Sequence, residues 1–478
     1  MEDLFFLIDL GSTYTKVIAV DLTSEMIVGR SQSPTTAETN VLTGLLDAFD
    51  KLAIYGKKAD ERIIAESRKL ASSSAAGGLC IVAIGLVPDL TLEAAKKAAL
   101  GAGAKVTDTY SYEIDENDVK QIERNGCDII LLVGGIDGGN KDVILHNAAM
   151  LSNSTLDVPI IAAGNAVVGS RVREMLEAGG KHVENTENVL PELDKLNVEP
   201  VRTCIRNIFM KSIVHAKGLD KAESFIGEIL MPTPMATLKA AALLADGHGS
   251  ETGFGELMVV EVGGATTNIH SIATGYSNQS RSIYKGLPEP YEKRTVEGDL
   301  GIRYNAETIL NLVSAGMIQN NASSIKKLSE KQVEEDVLYL SKHVSFIPAN
   351  DREVAVDVGL ARSAVEIAVE RHVGTIKESW GLNGEISIQY GKDLTELGTI
   401  IGTGGVFAFN PYPEMILQAA LMNKENPFSL RPKNPNFYVD KNYLLYGLGL
   451  LSGIEPAKAL RIGKKYLSRS ENNGYCIN

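Results

Sequence analysis

Three short segments of this 478-residue sequence carry residue types suited to holding a phosphate chain. In IDLGSTYTK an apolar run ends at Asp9, turns through Gly11, Ser12 and Thr13, and resumes after Lys16. Backbone N–H groups in such a turn converge on phosphate oxygens, the Ser12, Thr13 and Thr15 hydroxyls add donors, and Lys16 adds positive charge. Asp9 is placed to hold Mg2+ through water, because that ion keeps part of its hydration shell. VVEVGGATTN repeats the design with Glu261, Gly263, Gly264, Thr266 and Thr267. TIIGTGGVF closes an apolar run with Gly402, Gly404 and Gly405, where missing side chains let an adenine and ribose lie against backbone. Each segment alone is also what a plain tight turn looks like. Three of them in this order, each after an apolar strand, point to a nucleotide.

The elements that must carry these turns follow from periodicity. FFLIDLGSTYTKVIAVDL predicts a β-hairpin, and GELMVVEVGGATTNIHSIATG predicts a second one of the same design, a weak internal repeat. Residues 40–70 are expected to be helical, with Leu42, Leu45, Leu46, Phe49 and Leu52 at helical spacing. SSSAAGG at 72–78 is expected to be a turn or hinge. From 79 to 200 short apolar strands alternate with amphipathic helices, which implies an inserted α/β domain with a parallel sheet. Residues 200–248 are expected to be helix-rich and end in MATLKAAALLADG, whose Ala236, Ala240, Ala241 and Ala242 permit close packing. Helices are expected across 305–376, then a Pro/Asn-rich loop at 410–436 and a last helical stretch in YLLYGLGLLSGIEPAKAL.

Lys plus Arg number 47 against 60 Asp plus Glu, a net charge of −13 without a dense basic tract, which argues against a nucleic-acid or acidic-membrane surface. The four cysteines, Cys80, Cys127, Cys204 and Cys476, show no C-x-x-C spacing for zinc or an iron–sulfur cluster and are expected to be reduced thiols. No secretory signal and no membrane-spanning apolar stretch is found, so a cytoplasmic location is expected. Neither a P-loop, nor a dinucleotide G-x-G-x-x-G after a strand, nor a His-Glu-x-x-His helix is present.

The three segments resemble the two phosphate motifs and the adenosine motif of the superfamily of actin, the heat-shock chaperones, hexokinase and acetate kinase. MATLKAAALLADG and YLLYGLGLLSG stand where that fold has its two small-residue connecting helices. The resemblance implies an α/β, actin-like (ribonuclease H-like) two-domain ATPase. Gly11, Ser12, Thr13 and Lys16 would bind the terminal phosphates of ATP, with Gly263, Gly264, Thr266 and Thr267 closing from the other domain. Gly402, Gly404 and Gly405 would receive adenosine, with Asp9 and Glu261 at Mg2+. The implied division is 1–78 (first part of domain I), 79–200 (inserted domain), 201–250 (helical, first connecting helix), 251–440 (domain II) and 441–478 (second connecting helix and C-terminus). Glu261 replaces the usual Asp and Asn268 stands where chaperones often have another acid, both of which weaken the case for fast hydrolysis.

Over nearly its whole length, through VGGIDGGN, AIGLVPDLTLEAAKKAALGAGAKV, VEVGGATTNIHS and RTVEGDLGIRYN, the chain resembles the MutL-type accessory protein encoded beside adenosylcobalamin-dependent glutamate mutase. That family is unrelated to the mismatch-repair protein of the same name. The resemblance implies a chaperone-like reactivating role on a cobalamin mutase, with weak or partner-stimulated ATPase activity. The inserted domain lacks the Asp-x-His-x-x-Gly motif that would give cobalt a histidine. Its GGIDGG segment is either a ligand or partner loop or a strand-to-helix turn capped by Asn140. In VEGDLG, Glu297 and Asp299 are the candidate catalytic acids for orienting water or accepting a proton, or else simply cap a turn. Competing readings are a small-molecule kinase or ATP-dependent hydrolase, and a nucleotide-gated scaffold with negligible turnover.

Overall fold

The computed structural model describes residues 3–11, 13–36, 40–74, 79–213, 219–227, 229–277, 282–381 and 384–469. The chain forms two compact units. One comprises Met1–Lys239, Gly286–Pro290 and Tyr446–Lys458, and the other Ala240–Lys285, Tyr291–Leu445 and Ala459–Asn478.

In the first unit, β1 (Leu4–Leu10) is buried at every position, as a central strand should be, and Asp9 is its single polar residue. It pairs antiparallel with β2 (Tyr14–Asp21), which pairs antiparallel with β3 (Met26–Pro34). On its other side β1 runs parallel to β4 (Arg68–Ser73), which runs parallel to Ile229–Pro232. Numbered by chain order, the strands lie 3-2-1-4-5.

The expected helix over 40–70 is a correction. Asn40 caps a helix that ends at Asp50, and the chain then forms a two-residue ribbon, Ala53–Ile54 with Lys57–Lys58. Tyr55 and Gly56 both have positive φ, the requirement of the tight hairpin turn that breaks the helix. A short helix, Glu61–Glu66, precedes β4. The helix-rich stretch 200–248 likewise contains the strand Ile229–Pro232 and ends in the short strand Gly247–His248. Of the SSSAAGG segment, Ser72 and Ser73 end β4, and 75–78 lie outside the described residues. The small-residue helices do approach closely. A Cβ on Gly449 would lie 1.8 Å from the Ala236 carbonyl oxygen, so only glycine fits there.

The same unit carries a second sheet of five parallel strands: β5 (Cys80–Gly85), β6 (Lys105–Ser111), β7 (Ile129–Leu132), β8 (Ile160–Ala162) and β9 (Val183–Asn185). Their spatial order is β6-β5-β7-β8-β9, so the topological switch point falls between β5 and β7. Helices Glu93–Gly101, Glu116–Asn125, Asp142–Ser152 and Gly169–Ala178 connect them.

The second unit repeats the first sheet's logic. β10 (Leu257–Val262) pairs antiparallel with β11 (Thr267–Ile272). A small-sheet strand, β12 (Ser282–Lys285), intervenes in the chain before β13 (Glu292–Glu297), which pairs antiparallel with β11. Helices Ala306–Ala322, Glu330–Lys342 and Asp351–His372 follow. β14 (Thr375–Gly381) and β15 (Gly384–Tyr390) join β12, while β16 (Thr399–Thr403) runs parallel to β10 and β17 (Asn436–Val439) runs parallel to β16. Counting β10, β11, β13, β16 and β17 as one to five, the spatial order is again 3-2-1-4-5, with Ser468–Arg469 added at the edge. Among the described residues no helix is long and apolar enough to cross a membrane.

Candidate functional site

Strand register places Asp9 opposite Lys16 on β2 and opposite Ser72 on β4. Lys16 Nζ donates to Asp9 Oδ2 at 2.9 Å, and Thr233 Oγ1 donates to Asp9 Oδ1 at 2.7 Å. Thr233 opens the helix Thr233–Asp246 and also lies 3.2 Å from Ser72 Oγ. Asp9 is buried, while the Lys16 side chain keeps 20% of its exposure. Gly11 is needed by the turn itself, since a Cβ there would lie 2.5 Å from the Tyr14 carbonyl oxygen. Thr13 is exposed, the Thr15 hydroxyl pairs with Thr35 at 3.1 Å, and Ser12 lies outside the described residues.

In the second unit the turn after β10 closes through Gly263 N to Thr266 O at 2.9 Å. The segment after β13 wraps it. Ile302 N donates to Gly263 O, Arg303 N and Tyr304 N donate to Gly264 O, and Asn305 Nδ2 donates to Ala265 O. Thr267 is fully buried, and its hydroxyl donates to Leu300 O at 2.7 Å. That hydroxyl supports the loop, leaving Thr266 as the half-buried threonine of the pair. Gly264 differs from Gly11: a Cβ there would meet nothing closer than Arg303 at 3.6 Å, and its φ is ordinary. Internal packing does not demand glycine at that position, and its absent side chain leaves that stretch of backbone uncovered.

Glu261 stands over a buried polar stack. Asn268 Nδ2 donates to Glu261 Oε2 at 3.1 Å, Arg294 Nη2 donates to Asn268 Oδ1 at 3.0 Å, and His270 Nε2 lies 3.6 Å from Glu261 Oε2. An acid in place of Asn268 would set two carboxylates side by side, whereas the amide bridges one carboxylate to a guanidinium. Burial pushes Arg294 down to about 10 despite the attraction of Glu261. Burial also holds His270 below the usual imidazole range, and Glu261 opposes this only in part. A histidine harder to charge when folded stabilises fully above its unfolded value of 6.5, and that contribution is lost as pH falls through the lower folded value. The chain's urea midpoint should therefore fall more steeply below pH 6.5 than that of His270→Asn. Parallel profiles would remove His270 as the source.

The glycines of the third segment each answer to a neighbour. A Cβ on Gly402 would lie 2.7 Å from the Phe407 ring, one on Gly404 2.2 Å from the Val262 carbonyl oxygen, and one on Gly405 2.9 Å from the Tyr443 hydroxyl. Gly404 also has a φ of +108°, which only glycine adopts readily. β16 thus ends directly against the residue that begins the second phosphate turn. Thr403 Oγ1 donates to the buried Asp440, whose carboxylate also accepts Leu444 N and Leu445 N at the start of the helix Leu445–Leu451.

Register sets Glu297 opposite Thr267, so the VEGDLG acids lie at the second phosphate turn. Arg371 Nη1 donates to Glu297 Oε2 at 2.6 Å and to Asp299 Oδ1 and Oδ2 at 3.0 Å. Burial pushes the Glu297 carboxyl above its usual range, and Arg371 counteracts this only in part. GGIDGG follows β7 at the switch point and is latched from below. Asn165 Oδ1 accepts Gly138 N, and Asn188 Nδ2 donates to Gly135 O and to Asp137 Oδ1. Asn140 Oδ1 accepts Val143 N, capping the next helix.

Thr233, Arg294 and Arg371 escaped sequence reasoning. Arg294 opens the RTVEGDLGIRYN segment but no local feature pairs it with Asn268, and Thr233 and Arg371 meet their acids only in the tertiary structure.

The Asp9 carboxylate beside the first turn suits Mg2+ arriving with a nucleotide, since that ion takes one or two carboxylates together with phosphate and water, and Glu261 has the same chemistry beside the second turn. Among the described residues no group of three or more His, Cys, Asp or Glu is placed to hold a metal by itself.

Two ribonuclease H-like sheets, each with a glycine turn beside an acid on its first hairpin, define an actin-like α/β protein. The chain belongs to the MutL protein family, whose pattern matches residues 5–467. It is 45% identical over 467 residues to the protein MutL of Clostridium tetanomorphum, covering 97% of this chain and 99% of that one. Among solved structures it is similar to nucleotide-free acetone carboxylase (TM-score 0.42, 11% identity, 95% of this chain and 70% of that chain). It is also similar to xylulose kinase from Bifidobacterium adolescentis (TM-score 0.30, 10% identity, 98% of this chain and 95% of that chain).

Proposed function

We propose that the chain is an ATP- and Mg2+-binding accessory protein that acts, through nucleotide-driven domain closure, as a chaperone-like reactivating factor. Its partner is an adenosylcobalamin-dependent amino-acid mutase, glutamate mutase before others. The observation that carries the nucleotide part is the pairing of acid and glycine turn on the first hairpin of both sheets. In one, Lys16 stands ready beside Asp9; in the other, Gly264 leaves the backbone open. Family membership supports the partner part. Gly11, Ser12, Thr13, Lys16, Gly263, Gly264 and Thr266 take the phosphates, Gly402, Gly404 and Gly405 the adenosine, and Asp9 and Glu261 the metal. Mg2+ would supply charge neutralisation to the phosphates.

The test is the ATPase rate with and without an adenosylcobalamin mutase from the same organism. A low basal rate that rises with the mutase, and is lost in Asp9→Ala, is the expected result. ATP binding with a flat rate against every such mutase would end the reactivation reading.

The raised, half-shielded Glu297 beside the second turn also suits a base that accepts a substrate proton, which keeps a small-molecule kinase as the second reading. Under either reading Glu297→Gln should retain ATP affinity and lose about a hundredfold in turnover, the usual worth of a positioned acid or base. Unchanged turnover in single-turnover assays would confine Glu297 to its contact with Arg371.

A further inference from the structure

The second unit contains a sheet that its own core does not use. β12 pairs parallel with β15, and β15 pairs antiparallel with β14, with β12 at one edge. Directly opposed residues share a face, so the register sorts the side chains. One face carries Ile283, Lys285, Lys377, Ile386, Ile388 and Tyr390. Three isoleucines and a tyrosine on a pleated face would normally be covered, because a sheet this small gains stability by burying one side. Here Ile283 is 52% exposed, and none of the four joins the large apolar core of the unit. Ile386, Ile388 and Tyr390 are half-buried, and among the described residues no helix or second sheet packs extensively against these strands.

The charge on this face is also sorted. The Lys285 and Lys377 ammoniums sit 5.9 Å and 5.3 Å from the Tyr390 ring centroid. Among the described residues neither has a carboxylate partner, in a chain of net charge −13. Glu378 falls on the opposite face by the same register. The result is an apolar strip with two cations held upright over an aromatic ring.

From this arrangement we infer that the β12–β15–β14 face docks an acidic segment of a partner protein that interleaves aliphatic side chains with carboxylates. Two cations among isoleucines are too few for a phosphate backbone, which needs a row of them. A second copy using the same face would set its lysines against these lysines across a two-fold axis. An acidic, aliphatic strand or helix satisfies both features at once: its apolar side chains cover the isoleucines and its carboxylates meet the lysines. This docking goes beyond the nucleotide reading and stands whether or not ATP drives it.

The probe is a random dodecapeptide library displayed on phage and panned on the full chain. The Lys285→Glu/Lys377→Glu chain serves as the counter-target. The most enriched sequence is then synthesised with a fluorescent label and titrated by anisotropy at low and high salt. Enriched peptides should carry Asp or Glu among Leu, Ile or Phe. Their affinity should fall about tenfold or more in the charge-reversed chain, and likewise in Ile283→Asp, and should weaken with salt. Both variants alter exposed positions, and thermal melting confirms that they fold. No enrichment, peptides without acidic bias, or equal affinity for the variants would overturn the proposal. So would a wild-type dimer in sedimentation that Ile283→Asp dissolves, because the occupant would then be a second copy. Because ATP binding is measured separately, failure here leaves the nucleotide reading intact, and the reverse also holds.

Discussion

Asp9→Ala should weaken ATP binding severely while leaving a folded chain. Asp9 holds two partners at once, Lys16 and Thr233, and both lose their acceptor when the carboxylate goes. Breaking a buried ion pair costs about 3–5 kcal/mol when the orphaned charge stays buried. The Lys16 side chain is 20% exposed and escapes to water, so the loss of stability should be smaller, about 2 kcal/mol. The loss of ATP affinity should be larger than this, about a hundredfold or more, because the lysine is no longer held beside the turn and the metal loses its carboxylate. Asp9→Asn separates the two causes. Its amide oxygen still accepts from Thr233, so stability should recover most of the way while affinity for ATP with Mg2+ does not. Titration calorimetry with and without EDTA reads the affinity, and urea unfolding reads the stability. A folded Asp9→Ala chain that binds ATP as the wild type does would remove the first turn from the nucleotide site.

The second large effect is expected at Gly404. Alanine there must adopt a φ of +108° and place its Cβ 2.2 Å from the Val262 carbonyl oxygen, a backbone atom that cannot step aside alone. Strain in that region costs about 1–3 kcal/mol before any clash. With the clash, about 3 kcal/mol or more should be lost in urea unfolding. Because Val262 leads into Gly263 and Gly264, whatever relieves the clash moves the second phosphate turn, and ATP affinity should fall with stability. Gly398→Ala is the matched control. It precedes β16, has an ordinary φ, and a Cβ there meets nothing within 4 Å. Its urea midpoint should stay near the wild-type value. Equal midpoints for the two variants would mean that the close approach of β16 to β10 is not a constraint the protein depends on.

Much of the site's local chemistry was legible in the sequence. Both hairpins, their glycine turns and the third glycine-ended strand depend on turn residues and short apolar runs, which act within a few residues of themselves. The repeat between the two hairpins reappears within two sheets of the same strand order. The helix expected over 40–70 failed for an equally local reason that periodicity does not register, a Tyr55–Gly56 turn with positive φ at both positions.

Pairing was not legible. Thr233 reaches Asp9 across 224 residues, Arg371 reaches Glu297 across 74, and Arg294 reaches Asn268 across 26. A sequence shows which groups can donate and accept, but any of 47 Lys and Arg could have met any of 60 Asp and Glu. Backbone turns and apolar runs are set by neighbours along the chain, so the amino-acid order by itself determined where the glycine turns lie. Which cation stands beside which acid, that Thr267 is spent on Leu300, and that one sheet face is left uncovered were decided only when sheet register fixed the distances.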